Sequence, residues 1–129
     1  MEIVKYNKVL HEEKLMQMLV EEGEDWSCYW KAAMNEKYRE ALAKSLSYVA
    51  VEQSDVIGFS RSIDDCGIYI YVCDLLVKAE FRGKELGRQL MECIVKDHPE
   101  RTVYVMSDVD PYYQKLGYPR EGSVFEIKL

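Results

Sequence analysis

The sequence predicts an α+β domain, α/β mixed in character: a mixed, mostly antiparallel sheet with helices on both faces. Three observations predict it. Two helical stripes precede a meander of β-branched and aromatic runs that begins at Ser47, the run at 68–77 is almost wholly apolar, and the second half holds one strand–helix–strand crossover. With 129 residues the chain fits one domain, spanning 1–129, because domains cluster at about 100–150 residues.

Residues 2–6 read as a short strand. Leu15, Met18 and Leu19 then repeat at helical spacing until Gly23 ends the helix. A second helix follows, with Trp30, Ala33, Met34, Tyr38 and Ala41 on one stripe and Lys31, Glu36, Lys37 and Arg39 off it. The segments S-Y-V-A-V-E-Q and V-I-G-F-S-R-S-I are strands joined by a turn at Ser54-Asp55, and Asp64-Asp65-Cys66-Gly67 forms the next turn. Strand 68–77 carries a single charge, Asp74, in a run suited to burial on both faces. Leu86, Leu90, Cys93 and Ile94 mark a helix that stops before Pro99, and 102–106 is a fifth strand. Asp110-Pro111 opens a short helix that Gly117 terminates, and S-V-F-E-I-K-L is expected to close the chain as a last strand.

Composition narrows the function. The chain is 48% hydrophobic and 31% charged, as in ordinary globular proteins, and its net charge of −6 opposes a nucleic-acid partner, whose phosphates call for Lys and Arg. An acidic field favours a cationic partner such as an amine, although solubility alone selects the same sign. The amino terminus lacks the pattern of a secretory signal and no apolar run has the ~20 residues of a membrane span, so the chain is read as soluble and cytoplasmic, without a membrane partner. Cys28, Cys66, Cys73 and Cys93 show no C-x-x-C spacing and are read as reduced. With only His11 and His98 to offer imidazole, no metal is expected.

The informative element is V-K-A-E-F-R-G-K-E-L-G-R-Q-L, between the apolar strand and the helix at Leu86. A helix amino terminus presents unpaired N–H groups and a partial positive charge, glycines admit close approach, and Arg82, Lys84 and Arg88 add counter-charge. Together they describe an anion site; a solvated basic turn has the same composition. The pattern is neither the G-x-x-x-x-G-K-[ST] of nucleotide hydrolases nor the dinucleotide G-x-G-x-x-G.

The stretch D-L-L-V-K-A-E-F-R-G-K-E-L-G-R-Q-L-M resembles the signature of the GNAT superfamily of N-acetyltransferases, in which [Q/R]-x-x-G-x-[G/A] follows a strand and opens a helix. D-P-Y-Y-Q-K-L-G-Y is similar to the same family's F-Y-x-K-x-G-F segment, in the right order. With G-F-S-R-S the resemblance covers roughly 48–122. It implies a sheet of six or seven strands and acetyl-CoA as cosubstrate. Main-chain groups near Leu75, Leu76 and Val77 would pair with the pantetheine arm, and the loop Arg82, Gly83, Lys84, Glu85, Leu86, Gly87 and Arg88 would hold the pyrophosphate. Tyr113 falls on the tyrosine that protonates the departing thiolate, and so also borders the coenzyme. A phenol, with pKa near 10, suits that role at neutral pH. Register favours Tyr113 over Tyr112, though both, with Tyr118, also fit as core aromatics on a short helix.

In one place the chain departs from the signature: Glu85 stands where the family usually has glycine. A side chain forced to positive φ and a carboxylate beside a pyrophosphate both predict weakened coenzyme affinity. Asp74 falls where relatives carry an acid facing the acceptor amine; it is open to three roles, as general base, as attractor of the cation, or as a structural cap on a bulge. Glu24, Asp25, Trp26, Tyr29 and Trp30 are candidate walls for a cationic acceptor, with the helix–sheet core a better fit for Trp30, on its helical stripe, than for Trp26 in the preceding loop. The expected activity is direct transfer of acetyl from acetyl-CoA to a primary amine, on a small molecule or a peptide, in a ternary complex. The alternatives are a coenzyme A-binding module without turnover and a pure interaction domain. The acceptor and the oligomeric state, a homodimer included, are not specified by the sequence.

Overall fold

The computed structural model describes residues 1–129. Strand β1 (Glu2–Lys5) leads into α1 (Lys8–Glu22), a 3-10 turn, α2 (Ser27–Trp30) and α3 (Ala32–Lys44). Strands β2 (Leu46–Glu52), β3 (Asp55–Asp64) and β4 (Tyr69–Val77) form the meander, followed by a 3-10 turn at Ala79–Phe81, α4 (Leu86–Asp97), β5 (Thr102–Val105) and α5 (Asp110–Lys115). The sheet runs in order β1-β2-β3-β4-β5; every pair is antiparallel except the parallel β4–β5 pair that the α4 crossover creates.

The sheet separates two cores. On one face α1 and α3 bury Leu15, Met18, Leu19, Tyr38 and Leu42 against Val49, Val56, Phe59 and Leu76. On the other, α4 sets Leu86, Leu90 and Ile94 on Tyr48, Ala50, Ile57, Ile70 and Val72. Truncating Leu15 or Leu90, both wholly buried, to alanine removes about 2–5 kcal/mol at either face. Gly58 lets α4 settle, since a Cβ there would stand 3.1 Å from the Leu76 carbonyl oxygen and 3.3 Å from Leu90 Cδ1.

Local capping explains where α1 starts and stops. Asn7 accepts a hydrogen bond from the Leu10 amide at 3.0 Å, and Gly23, at φ 93°, sends its N–H back to the Leu19 carbonyl. His11 completes the start: its buried Nδ1 accepts from the Asn7 amide at 2.9 Å.

Two expectations are corrected. The second helix is broken at Lys31, whose extended backbone and the left-handed Ala32 (φ 49°) separate α2 from α3. Trp30 therefore leaves the stripe, Ala33 and Met34 are exposed, and the buried face of α3 is Tyr38 and Leu42. The sheet also has five strands rather than six or seven. Residues 123–129 join no ladder, and Val124, Phe125 and Ile127 are 80%, 84% and 95% exposed. Alternation shows what a segment does once paired, and here no strand edge receives it.

Candidate functional site

The site is organised by one extra residue in β4. Arg61 pairs with Asp74 while Ser62 pairs with Val72, so Cys73 is a bulge. Because side chains alternate along a strand, the bulge inverts the pattern. Ile70 and Val72 face α4, whereas Asp74 and Leu76 turn to the α1–α3 face and Leu75 and Val77 to the α4 face.

Beyond the bulge the parallel pair parts. The β4–β5 register ends at Val72–Val105, with a last bond from the Met106 amide to the Val72 carbonyl at 3.0 Å. From Cys73 to Val77, β4 pairs with β3 alone, and its other edge is open. Leu75, Leu76 and Val77 lie on that open stretch, which points toward the amino terminus of α4. There Glu85 has φ 63° and offers no side-chain cap, so the amides of the first turn end without protein acceptors. Gly83, at φ 79°, has nothing within 4 Å of where a Cβ would sit, leaving room for a ligand against the backbone. Uncapped amides, an open strand edge and a loop without obstruction fit a pyrophosphate and its pantetheine arm.

The loop's cations are less free than their number suggests. Arg82 donates through Nε to the Val77 carbonyl at 2.9 Å and pairs with Glu22 of α1. Arg88 pairs with Glu85 and, through Nε, with Glu92 at 3.3 Å. Lys84 lies 5.7 Å from the Phe81 ring centre.

Asp74 is buried and paired. Its Oδ2 accepts from Arg61 Nε at 2.6 Å and from the Tyr38 hydroxyl at 2.7 Å, while Arg61 Nη1 reaches Ser45 Oγ at 3.2 Å. Both bonds fall on one oxygen, and the Tyr29 hydroxyl also lies against the carboxylate. Burial, reinforced by the Asp74 carboxylate, pushes the Tyr38 phenol far above its usual range, so it stays a donor. The ring of Tyr29 lies 4.5 Å from that of Tyr38, and burial followed by the nearby Asp74 raises its phenol too. Trp26 packs on Tyr29 at 5.7 Å and on Phe59 at 6.0 Å. Trp30 keeps a buried indole N–H with no protein acceptor, and Glu24 pairs with Lys31, so the aromatic wall carries less free negative charge than its sequence suggested. Arg61 and Tyr38, which complete the Asp74 cluster, were not singled out from the sequence; the lone charge in an apolar strand was the signal that such partners had to exist.

The two adjacent tyrosines of α5 meet edge to face, ring centres 5.0 Å apart. Tyr113 lines a cleft of about 1010 Å3 that runs along β5, the second half of α4 and residues 118–124; neither Asp74–Val77 nor the 82–88 loop borders it. Burial pushes its phenol up to about 12. Tyr112 lies against α4, where its hydroxyl would stand 2.5 Å from a Cβ on Gly87. No group of three or more His, Cys, Asp or Glu side chains converges as a metal site, and no helix is long and apolar enough to cross a membrane.

A five-stranded α+β sheet whose parallel pair parts before an uncapped helix is an acetyltransferase architecture, and residues 43–120 match the acetyltransferase (GNAT) domain profile. The chain belongs to the GNAT family. It is 24% identical over 102 residues to an uncharacterized N-acetyltransferase of Porphyra purpurea, covering 71% of this chain and 59% of the relative. The chain spans little more than half the length of the curated relatives it matches. Among solved structures, the ribosomal-protein-alanine N-acetyltransferase of Brucella melitensis superposes with a TM-score of 0.76 over 100% of both chains at 14% identity. An aminoglycoside N-acetyltransferase in complex with CoA gives 0.71 over 99% of each at 17% identity. At these identities the likeness is one of fold.

Proposed function

We propose that the protein transfers the acetyl group of acetyl-CoA directly to a primary amine, on a small molecule or a peptide, within a ternary complex. The observation that carries the reading is the open edge of β4 beyond Cys73, aimed at the uncapped amino terminus of α4. Membership in an acetyltransferase family supports it.

Acetyl-CoA supplies a thioester carbonyl already activated toward nucleophiles. The protein's share is placement and proton handling. Main-chain groups of Leu75, Leu76 and Val77 hold the pantetheine arm, and the amides of Gly83, Lys84, Glu85, Leu86, Gly87 and Arg88, preceded by Arg82, hold the pyrophosphate. As the amine nitrogen bonds to the carbonyl carbon and the carbon–sulfur bond breaks, Tyr113 gives its phenolic proton to the departing sulfur. The proton released from nitrogen passes toward Asp74 Oδ1, directly or through water, while Arg61 and Tyr38 anchor Oδ2. Trp26 and Tyr29 line the approach of the acceptor. The expected setting is the cytoplasm.

Thermal unfolding with acetyl-CoA, CoA and ATP tests the reading, since a ligand at 100 times its Kd adds about 2.7 kcal/mol. Stabilisation by both coenzymes but not by ATP, with thiol release across an amine panel, is the expected result. The pairing of the candidate base Asp74 with Arg61 favours a second reading: a coenzyme A-binding module without turnover. Stabilisation without thiol release would select it, and no stabilisation by either coenzyme would remove both.

A further inference from the structure

The contact between α5 and the first turn of α4 is not explained by packing alone. Glycine at position 87 is one of two residues, glycine or alanine, that the signature accepts there. In this chain alanine would have to displace Tyr112: its Cβ would stand 2.5 Å from the Tyr112 hydroxyl oxygen, inside contact distance, while the ring carbon bearing that oxygen would be an ordinary 3.6 Å away. The hydroxyl is thus the one group that crowds position 87. It is a polar group placed against the first turn of α4, which has no side-chain cap, and it forms no hydrogen bond with the protein's own side chains there. Tyr112 is partly exposed, its phenol is raised by burial and drawn down by neighbouring Arg88, and Leu75 of the open β4 edge lies 3.7 Å from the same Gly87 Cβ position. Bonds from the Tyr112 amide to the Val109 carbonyl and from the Tyr118 amide to the Tyr113 carbonyl close the two ends of α5.

We infer that Tyr112 is a coenzyme-contacting residue: its hydroxyl donates a hydrogen bond to the pyrophosphate held on the amides of Leu86, Gly87 and Arg88. The inference rests on the reading of the loop as the pyrophosphate site. It gives the two neighbouring tyrosines separate duties at the two ends of one pantetheine arm, Tyr113 at the thioester and Tyr112 at the phosphates. A donor of this kind also supplies what Arg82 and Arg88, tied to Glu22, Glu85 and Glu92, hold back.

The test is a double-mutant cycle on the full chain, using acetyl-CoA as probe in calorimetric titration and thermal unfolding without ligand. Tyr112→Phe should weaken acetyl-CoA binding about tenfold, the scale of one hydrogen bond to a charged group, with unfolding temperature little changed. Gly87→Ala should lower both affinity and unfolding temperature. The double variant Gly87→Ala/Tyr112→Phe should regain the unfolding temperature, because the clashing oxygen is gone, yet keep the tenfold loss of affinity. Phosphorus NMR should show the bound pyrophosphate resonances moved by Tyr112→Phe. If wild type binds and Tyr112→Phe binds equally well with unmoved resonances, the inference is overturned and the acetyltransferase reading stands. If wild type itself shows no binding, the pyrophosphate reading falls and takes this one with it.

Discussion

Arg61 and Asp74 face each other across β3 and β4 at the cysteine bulge, Nε to Oδ2 at 2.6 Å, with both side chains largely hidden from solvent. Removing one member of such a pair leaves the other buried and uncompensated, which costs about 3–5 kcal/mol, whereas replacing both by apolar residues is far milder. Urea unfolding should show Asp74→Asn strongly destabilised and Arg61→Met/Asp74→Leu much less so. Equal losses in the two variants would mean that water, not Arg61, compensates the carboxylate.

The same pairing shapes a kinetic expectation. With Oδ2 engaged twice, only Oδ1 is left to take a proton, so Asp74→Asn should abolish the acidic limb of kcat/KM. Because this variant is also less stable, the profile belongs at a temperature where it remains folded. An acidic limb that survives assigns Asp74 to structure alone.

Glu85 sits at φ 63°, a conformation that costs a non-glycine residue roughly 1–2 kcal/mol, and its carboxylate ties up Arg88. Glu85→Gly should therefore raise the unfolding temperature and tighten acetyl-CoA binding by up to about an order of magnitude, since it relieves strain and frees a cation beside the anion site. Glu85→Gln should recover only the electrostatic share, and its advantage should shrink as salt rises. Calorimetry of the three forms at two salt concentrations decides; weaker binding by Glu85→Gly would show that the strained residue helps the loop.

Tyr113 should act as a donor over a wide range. Burial pushes its phenol up to about 12, above its ordinary 10.0, so it holds its proton throughout the neutral and mildly alkaline region. Turnover by wild type should thus show no alkaline limb from this group below pH 10, and Tyr113→Phe should lower kcat while leaving the affinity for acetyl-CoA nearly unchanged. Unaltered kcat at saturating coenzyme would rule out the proton-donor role.

His11 gives a stability prediction. Its neutral Nδ1 accepts from the Asn7 amide, and burial lowers its pKa below 6.5, so the folded chain resists a proton that the unfolded chain accepts. Below that ordinary value the unfolded state binds more protons, and stability falls as pH falls. Thermal unfolding at pH 7 and pH 5 should show wild type losing more than His11→Gln, which keeps an acceptor but cannot ionise. Parallel losses would assign the acid sensitivity to other groups.

Much of this protein is local in origin and was readable without coordinates. The order of elements from β2 to α5, the stripe of α4, the stop at Gly23 and the glycine loop follow from preferences exchanged among residues a few positions apart, while the strain at Glu85 is implied by the resemblance to the family signature. The reach of that reasoning ends where distant segments meet. Periodicity could not place the bulge at Cys73, which depends on register with β3 and decides that Asp74 turns toward Tyr38 instead of α4. Composition counted three free cations in the loop, but Arg82 is bound by Glu22, 60 positions away, because α1 packs beside the end of β4. The closing strand is expected from alternation, yet a strand exists only once paired, and 123–129 join neither β5 nor the open end of β4. Likewise only the fold brings Tyr112 over Gly87, since the space at a glycine is set by whichever side chain arrives from elsewhere in the chain.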